Sequence, residues 1–140
     1  MKLRLQYDTS SINWNLVVEI LQKTNMANYA AEIHKLAFSN SHTVVFVFGA
    51  EAMNGFGKAI SDGAYQAAIY DVAVLPDYQG KGIGKMIVQN IVQKCPGCNF
   101  ILYSAPGKEK FYKKVDFRRM KTGMALFKDI EKMKEKGFTE

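Results

Sequence analysis

The segment Gln79-Gly80-Lys81-Gly82-Ile83-Gly84-Lys85 joins a predicted strand directly to a predicted helix and carries glycine at every second position. Glycine lets a backbone turn sharply and come close to a ligand. The first amides of the following helix have no partner inside it, so they point outward with the positive end of the helix dipole behind them. Such a turn can cradle a diphosphate. Spacing disfavours two loops of this kind. A G-x-G-x-x-G fingerprint starting at Gly80 needs glycine where Lys85 stands, and a Walker A lysine is followed by Ser or Thr, whereas Lys85 is followed by Met86. What remains is Q-x-x-G-x-G, at Gln79, Gly82 and Gly84.

A second chemical feature lies just upstream. Asp71 interrupts the apolar strand Tyr70-Asp71-Val72-Ala73-Val74-Leu75. With period 2, Asp71, Ala73 and Leu75 share one face, and Tyr70, Val72 and Val74 share the other. A carboxylate in such a strand is costly unless it is paired or near water. Asp71 therefore either lines a cleft or pairs with a buried lysine or a backbone group. The pair Cys95-Pro96-Gly97-Cys98 follows a helix rather than opening one, so the dipole disfavours a thiolate there, and Pro-Gly reads as a stop and turn. A zinc site would need two more ligands. The two histidines, His34 and His42, stand at no ligand spacing and read as surface or capping residues, so no metal is expected.

These groups must be positioned by a small scaffold. The chain has 140 residues, 48% of them apolar, which fits a single domain over residues 1–140 with a buried core. Leu3 and Leu5 alternate with polar neighbours, as in a short first strand. Ser10-Ser11 offers an N-cap, and Trp14, Val17, Val18 and Leu21 repeat as an amphipathic helix does. A second helix is expected over Asn28–Phe38 with Ala30, Ile33 and Ala37 inward. Thr43–Phe48, Gly55–Ile60 and Gln66–Leu75 read as an antiparallel meander, the last two joined at Ser61-Asp62-Gly63. Ile83, Ile87 and Ile91 mark a helix to about Lys94. A strand at Phe100–Tyr103, a short helix at Lys108–Lys114 and a strand near Gly123–Phe127 complete the order βααβββαβαβ, an α+β arrangement with one crossover.

The run from Tyr70 to Gly84 resembles motif A of the GNAT acetyltransferase superfamily. Lys110-Phe111-Tyr112-Lys113-Lys114-Val115-Asp116-Phe117 resembles that family's F-Y-x-x-x-G-F segment, about thirty residues after the loop. The resemblance spans roughly 43–127 and implies the GNAT fold, a mixed, mostly antiparallel sheet flanked by helices. It also implies acetyl-coenzyme A as cosubstrate and direct attack of a primary amine on the thioester. The pantetheine arm would lie along Val72, Ala73 and Val74, and Gln79, Gly80, Lys81, Gly82, Ile83, Gly84 and Lys85 would meet the diphosphate. Tyr112 would be the general acid, since a phenol stays protonated at neutral pH. Asp71 is the candidate general base, with Glu51 or an ordered water as alternatives. Two positions depart from the family pattern. Asp116 replaces the glycine before the last phenylalanine, and Ser104-Ala105-Pro106-Gly107 stands where an asparagine is common.

Charge sharpens the partner only so far. Nineteen Lys and Arg against thirteen Asp and Glu leave 19 − 13 = +6, which favours a polyanionic partner. Lys108, Lys110, Lys113 and Lys114 could approach adenosine phosphates or form a solvated face. A non-catalytic acyl-coenzyme A binder and, less favoured, a basic nucleic-acid-binding module are the competing readings. A homodimer is common in the family. The longest apolar runs are far shorter than the roughly 20 residues of a membrane span, and the N-terminus lacks a signal-peptide pattern. No membrane partner and a cytoplasmic location are the expectations.

Overall fold

The computed structural model describes residues 2–50 and 52–140, so Glu51, an alternative base, lies outside the described residues. The chain forms two compact units, Met1–Leu102 and Tyr103–Glu140. In the first, the elements run β1 (Arg4–Gln6), α1 (Trp14–Lys23), α2 (Ala31–Ser39), β2 (Thr43–Phe48), β3 (Met53–Ser61), β4 (Gln66–Val74), a 3-10 turn (Pro76–Tyr78), α3 (Ile83–Lys94) and β5 (Asn99–Ile101). One sheet has the order β1-β2-β3-β4-β5. Its first four strands are antiparallel, and β5 returns parallel to β4 after the crossover through α3. This is the α+β meander with one crossover expected from the residue pattern, and the mixed, mostly antiparallel sheet that the family resemblance implies. Among the described residues no helix is long and apolar enough to cross a membrane.

Residue alternation sorts the sheet into two faces. Val44, Phe46, Phe56 and Ala73 join Val17, Ile20 and Leu21 of α1 and Phe38 of α2 in one core. Phe38 is its hub, with ring centroids 5.7 Å from Trp14, 5.6 Å from Phe46 and 5.6 Å from Phe56. On the opposite face α3 lies close against β3, because Gly55 and Gly57 have no side chains. A Cβ on Gly57 would sit 2.7 Å from Ile87 Cγ2 and 3.2 Å from Ile91 Cδ1. Isoleucines spaced four apart on α3 thus pack against bare strand backbone.

Three local expectations change. Asn13, not Ser10-Ser11, caps α1, its side chain accepting from the Leu16 N–H, while Ser11 adopts φ 56° two residues earlier. On α2 the inward residues are His34 and Phe38, one turn apart, whereas Ile33 stays 48% exposed. The most apolar stripe of this helix is not the buried one, because Phe38 has the ring that fills the space between Trp14 and Phe56. His34, expected as a surface or capping residue, is only 3% exposed.

The second unit holds α4 (Glu109–Lys113) and α5 (Ile130–Glu135). Tyr103, Phe127 and Phe138 form one aromatic cluster, with centroids 5.4 Å, 5.9 Å and 6.2 Å apart. The strand expected near Gly123–Phe127 does not form. Met124 is 95% and Leu126 93% exposed, while Phe127 turns into the cluster. The alternation of a strand is present, but among the described residues no strand pairs with this stretch, and alternation without a ladder leaves only extended chain. In place of a final strand, Asp129 caps α5 by accepting from the Lys132 N–H at 3.0 Å, and Gly137 ends it at φ 87°.

Two outcomes follow from this packing. Gly57→Ala should lower stability by about 1–3 kcal/mol through overpacking against Ile87, read as a lower denaturant midpoint with an unchanged m-value. His34 has its pKa lowered, chiefly by desolvation, with Asp71 opposing and Lys58 assisting. A histidine depressed in the folded state contributes stability above its unfolded pKa of about 6.5 and loses it as pH falls through the folded value. Thermal midpoints should therefore drop on acidification below pH ~6.5. The drop should be smaller in His34→Gln, and parallel curves for the two proteins would refute the assignment.

Candidate active site

The site is built on an irregularity in β4. Phe56 pairs with Ala73 and Lys58 pairs with Tyr70, so Gly57 alone faces both Asp71 and Val72. This is a β-bulge, and Asp71 occupies it at φ 55°, a left-handed conformation uncommon outside glycine but tolerated by aspartate. The bulge breaks the simple period-2 reading. Tyr70 and Asp71 both reach the Lys58 ammonium, whose Nζ lies 3.5 Å from Asp71 Oδ2 and 5.3 Å from the Tyr70 ring. Tyr70 therefore leaves the face it was expected to share with Val72 and Val74. Val72 Cγ2 and Val74 Cγ2 lie on the α3 side, within 3.4 Å of Cβ atoms built on Gly57 and Gly55.

Of the two alternatives for Asp71, the lysine is found. Lys58 has a side chain only 8% exposed, against 28% for Asp71. The Phe38 ring, 5.5 Å from Nζ, lines its other side. A buried ammonium needs a counter-charge, and Asp71 supplies it. Sequence reasoning passed over Lys58, although a lone lysine in the strand Phe56-Gly57-Lys58-Ala59-Ile60 was the available signal. His34 feels the charges of both Asp71 and Lys58. Its Nε2 is buried with no hydrogen-bond partner, and its ring packs edge-on to Tyr29 at 5.7 Å.

The sheet opens around the bulge. β5 pairs with β4 at Gln66, Ala67 and Ala68, and among the described residues no strand pairs with that edge from Ile69 to Val74. The Leu75 N–H donates to Asn54 O across to β3 at 2.8 Å. By strand alternation Ala73 also turns its peptide groups toward β3, while Val74 turns its own to the open edge. The Val74 carbonyl there accepts from Gln79 Nε2 at 2.9 Å. The Gln79 backbone N–H donates to Pro76 O at 3.2 Å, so Gln79 braces the turn at both its N–H groups.

The glycine loop follows. Gly80 and Gly82 adopt φ 78° and 83°, and no atom lies within 4 Å of where a Cβ would stand on either. Gly82 is the N-cap of α3 and provides no side chain to accept the first amides of the helix, and no acidic residue occupies its first turn. Ile83 is buried and anchors the helix start, while Lys81 and Lys85 are exposed. The amides and the dipole therefore face open space flanked by two cations, a fit for a diphosphate.

Tyr112 lies in the second unit, on α4, between the rings of Phe111 at 4.9 Å and Phe117 at 5.9 Å. Burial pushes its phenol above the ordinary value. Asp116, in the place of the family's glycine, takes the left-handed conformation that glycine would, at φ 73°. The cysteines form the turn anticipated for them, with the Cys98 N–H donating to Cys95 O at 3.3 Å. Both are free thiols, Cys95 buried beside Thr43 Oγ1 at 3.3 Å. Among the described residues no group of three or more His, Cys, Asp or Glu could hold a metal ion.

Comparison with known proteins bears on the family and the fold. The family model described as an acetyltransferase (GNAT) domain matches residues 39–119, more than half the chain. An uncharacterized N-acetyltransferase, ycf52, of Pyropia yezoensis is 32% identical over 90 residues, covering 59% of this chain and 52% of that protein. The chloroplastic GCN5-related N-acetyltransferase 1 of Arabidopsis thaliana is 33% identical over 84 residues, 58% of this chain and 43% of the relative. The chain thus spans about half the length of the curated relatives it matches. In fold it is similar to a GNAT family acetyltransferase of Streptococcus pneumoniae, with a TM-score of 0.76 at 19% identity, covering 91% of this chain and 99% of the other. With the family model matching across the bulged strand, the glycine loop and the tyrosine segment, the chain belongs to the GNAT acetyltransferase family.

Proposed function

We propose that the protein transfers the acetyl group of acetyl-coenzyme A to a primary amine on a small molecule or peptide, by direct attack within a ternary complex. One observation carries the reading: the stretch of β4 that does not pair with β5, Ile69 to Val74, leads through the Pro76–Tyr78 turn into the uncapped, glycine-opened start of α3. That combination offers strand backbone for an extended amide-bearing arm and helix amides for a diphosphate, the two halves of a coenzyme A recognition surface. When bound, acetyl-coenzyme A supplies an activated thioester. Val72 and Val74 would hold its pantetheine arm, whereas Ala73, expected with them, turns its peptide groups to β3 and is only 3% exposed. Gly80, Gly82, Ile83 and Gly84 would meet the diphosphate through backbone N–H groups, with Gln79 bracing the turn and Lys81 and Lys85 adding charge.

The chain's own residues then divide the proton work. Asp71, partly exposed on the bulge, takes a proton from the acceptor amine, so that the amine attacks as a neutral nucleophile. Tyr112 gives a proton to the departing thiolate. The raised phenol pKa supports that role, because it keeps the group protonated across the physiological range.

A thiol-release assay with acetyl-coenzyme A against polyamines, aminoglycosides, amino sugars, arylalkylamines and peptides should reveal at least one accepted amine. Binding without turnover across the panel would instead favour a non-catalytic acyl-coenzyme A binder. Gly82→Ala places a side chain at φ 83° and should weaken acetyl-coenzyme A binding roughly tenfold by calorimetric titration, the left-handed strain being about 1–2 kcal/mol. Asp71→Asn and Tyr112→Phe should each lower kcat by about 10²–10⁴ with acetyl-coenzyme A affinity retained. A rate-against-pH profile unchanged in Asp71→Asn would remove Asp71 as the base.

A further inference from the structure

Lys58 is a buried charged residue that the family resemblance does not account for, and its surroundings are specific. It sits in the middle of β3, only 6% exposed, on the face that packs against α1 and α2. Removing an ammonium from water there is expensive unless a counter-ion is held close. The carboxylate at 3.5 Å belongs to Asp71, and the rings of Phe38 and Tyr70 lie on the remaining sides at 5.5 Å and 5.3 Å. The ammonium therefore has little freedom. Asp71, by contrast, sits on a bulge at φ 55°, a conformation that persists in an L residue only when its surroundings over-determine it. A short, partly exposed carboxylate on such a backbone can turn toward solvent, toward the acceptor or toward the sheet. The fixed ammonium selects among these.

The other groups facing Asp71 leave this role to Lys58. His34, from α2, is held toward its neutral form by desolvation and so does not act as a second cation. Tyr70, its neighbour on β4, is also in contact with the Lys58 ammonium. We infer that Lys58 is a positioning residue for acetyl transfer, fixing the Asp71 carboxylate on the β4 bulge in the orientation from which it takes the proton of the amine. This rests on the proposed role of Asp71 as base.

The test is a double-mutant cycle on the full chain, with acetyl-coenzyme A and the amine turned over fastest in the panel. Lys58→Met should lower kcat by about tenfold to a hundredfold, the scale of a small misplacement of a catalytic group, with the KM for acetyl-coenzyme A within about twofold of the parent. Lys58→Arg should recover most of the loss. The Lys58→Met, Asp71→Asn double variant should be no slower than Asp71→Asn alone, because a residue that acts through Asp71 has nothing left to position. Losses that multiply in the double variant, or a Lys58→Met enzyme with parental kcat, would overturn the inference while leaving Asp71 as base. An Asp71→Asn enzyme with parental kcat would instead remove the base, and the inference with it. If circular dichroism shows Lys58→Met unfolded, the same cycle is run with Lys58→Gln, which removes the charge and keeps a polar side chain. It should change kcat when Asp71 is present and be silent when Asn replaces it, and an equal effect in both backgrounds sinks the inference.

Discussion

The ion pair between Lys58 and Asp71 is the constraint on which the arrangement of the site turns. Neither charge is stable alone in its strand, since Lys58 has apolar neighbours on both sides and Asp71 lies among valines and alanine. Asp71 keeps the face it shares with Ala73, across from Phe56 and Lys58, and the bulge brings Tyr70 onto that same face, so that two adjacent residues that regular pleating would separate both meet the ammonium. Asp71 takes the left-handed conformation and Gly57 faces two residues at once. Past the bulge, Val72 and Val74 have the α3-side orientation, and Val74 turns its peptide groups to the open edge of the sheet.

That open edge is the second determinant. β4 and β5 share only three paired residues before they separate, while the turn after β4 feeds straight into α3. Gln79 ties the turn to the strand by donating its side-chain amide to the Val74 carbonyl, so the strand edge and the glycine loop are joined directly. The close seating of α3 on β3 through Gly55 and Gly57 holds the helix start in register with that piece. Packing, polar bracing and helix electrostatics thus converge on a few residues. They give the excess positive charge a local meaning at Lys81 and Lys85, while the lysines of α4 remain an exposed face in their own unit.

Much of this was legible in the residues. The β-branched run Thr43–Phe48, the isoleucine stripe of α3 and the meander joined at Asp62 all fold as their patterns indicate, because each repeats a signal over several residues. The glycine loop was legible for another reason, since its geometry depends on glycines whose positive φ no other residue adopts easily. The inward face of α2 was not. Its aliphatic stripe and its aromatic residue compete, and only the neighbouring rings of Trp14 and Phe56 decide for Phe38. The strand expected at 123–127 was misleading because alternation reports a potential to pair and says nothing about whether a partner strand is beside it.

By itself, then, the order of residues determined the α+β class, the strand-loop-helix unit and the chemistry available to it, since these follow from local periodicity, turn residues and side-chain type. It also left Asp71 to line a cleft or to pair with a buried lysine or a backbone group. The tertiary structure alone supplied the lysine, by bringing β3 alongside β4 in a register that sets Lys58 beside Asp71. Cross-strand register is a long-range property, fixed by the packing of both faces together, and a lone charge in one strand does not reveal which charge lies across from it.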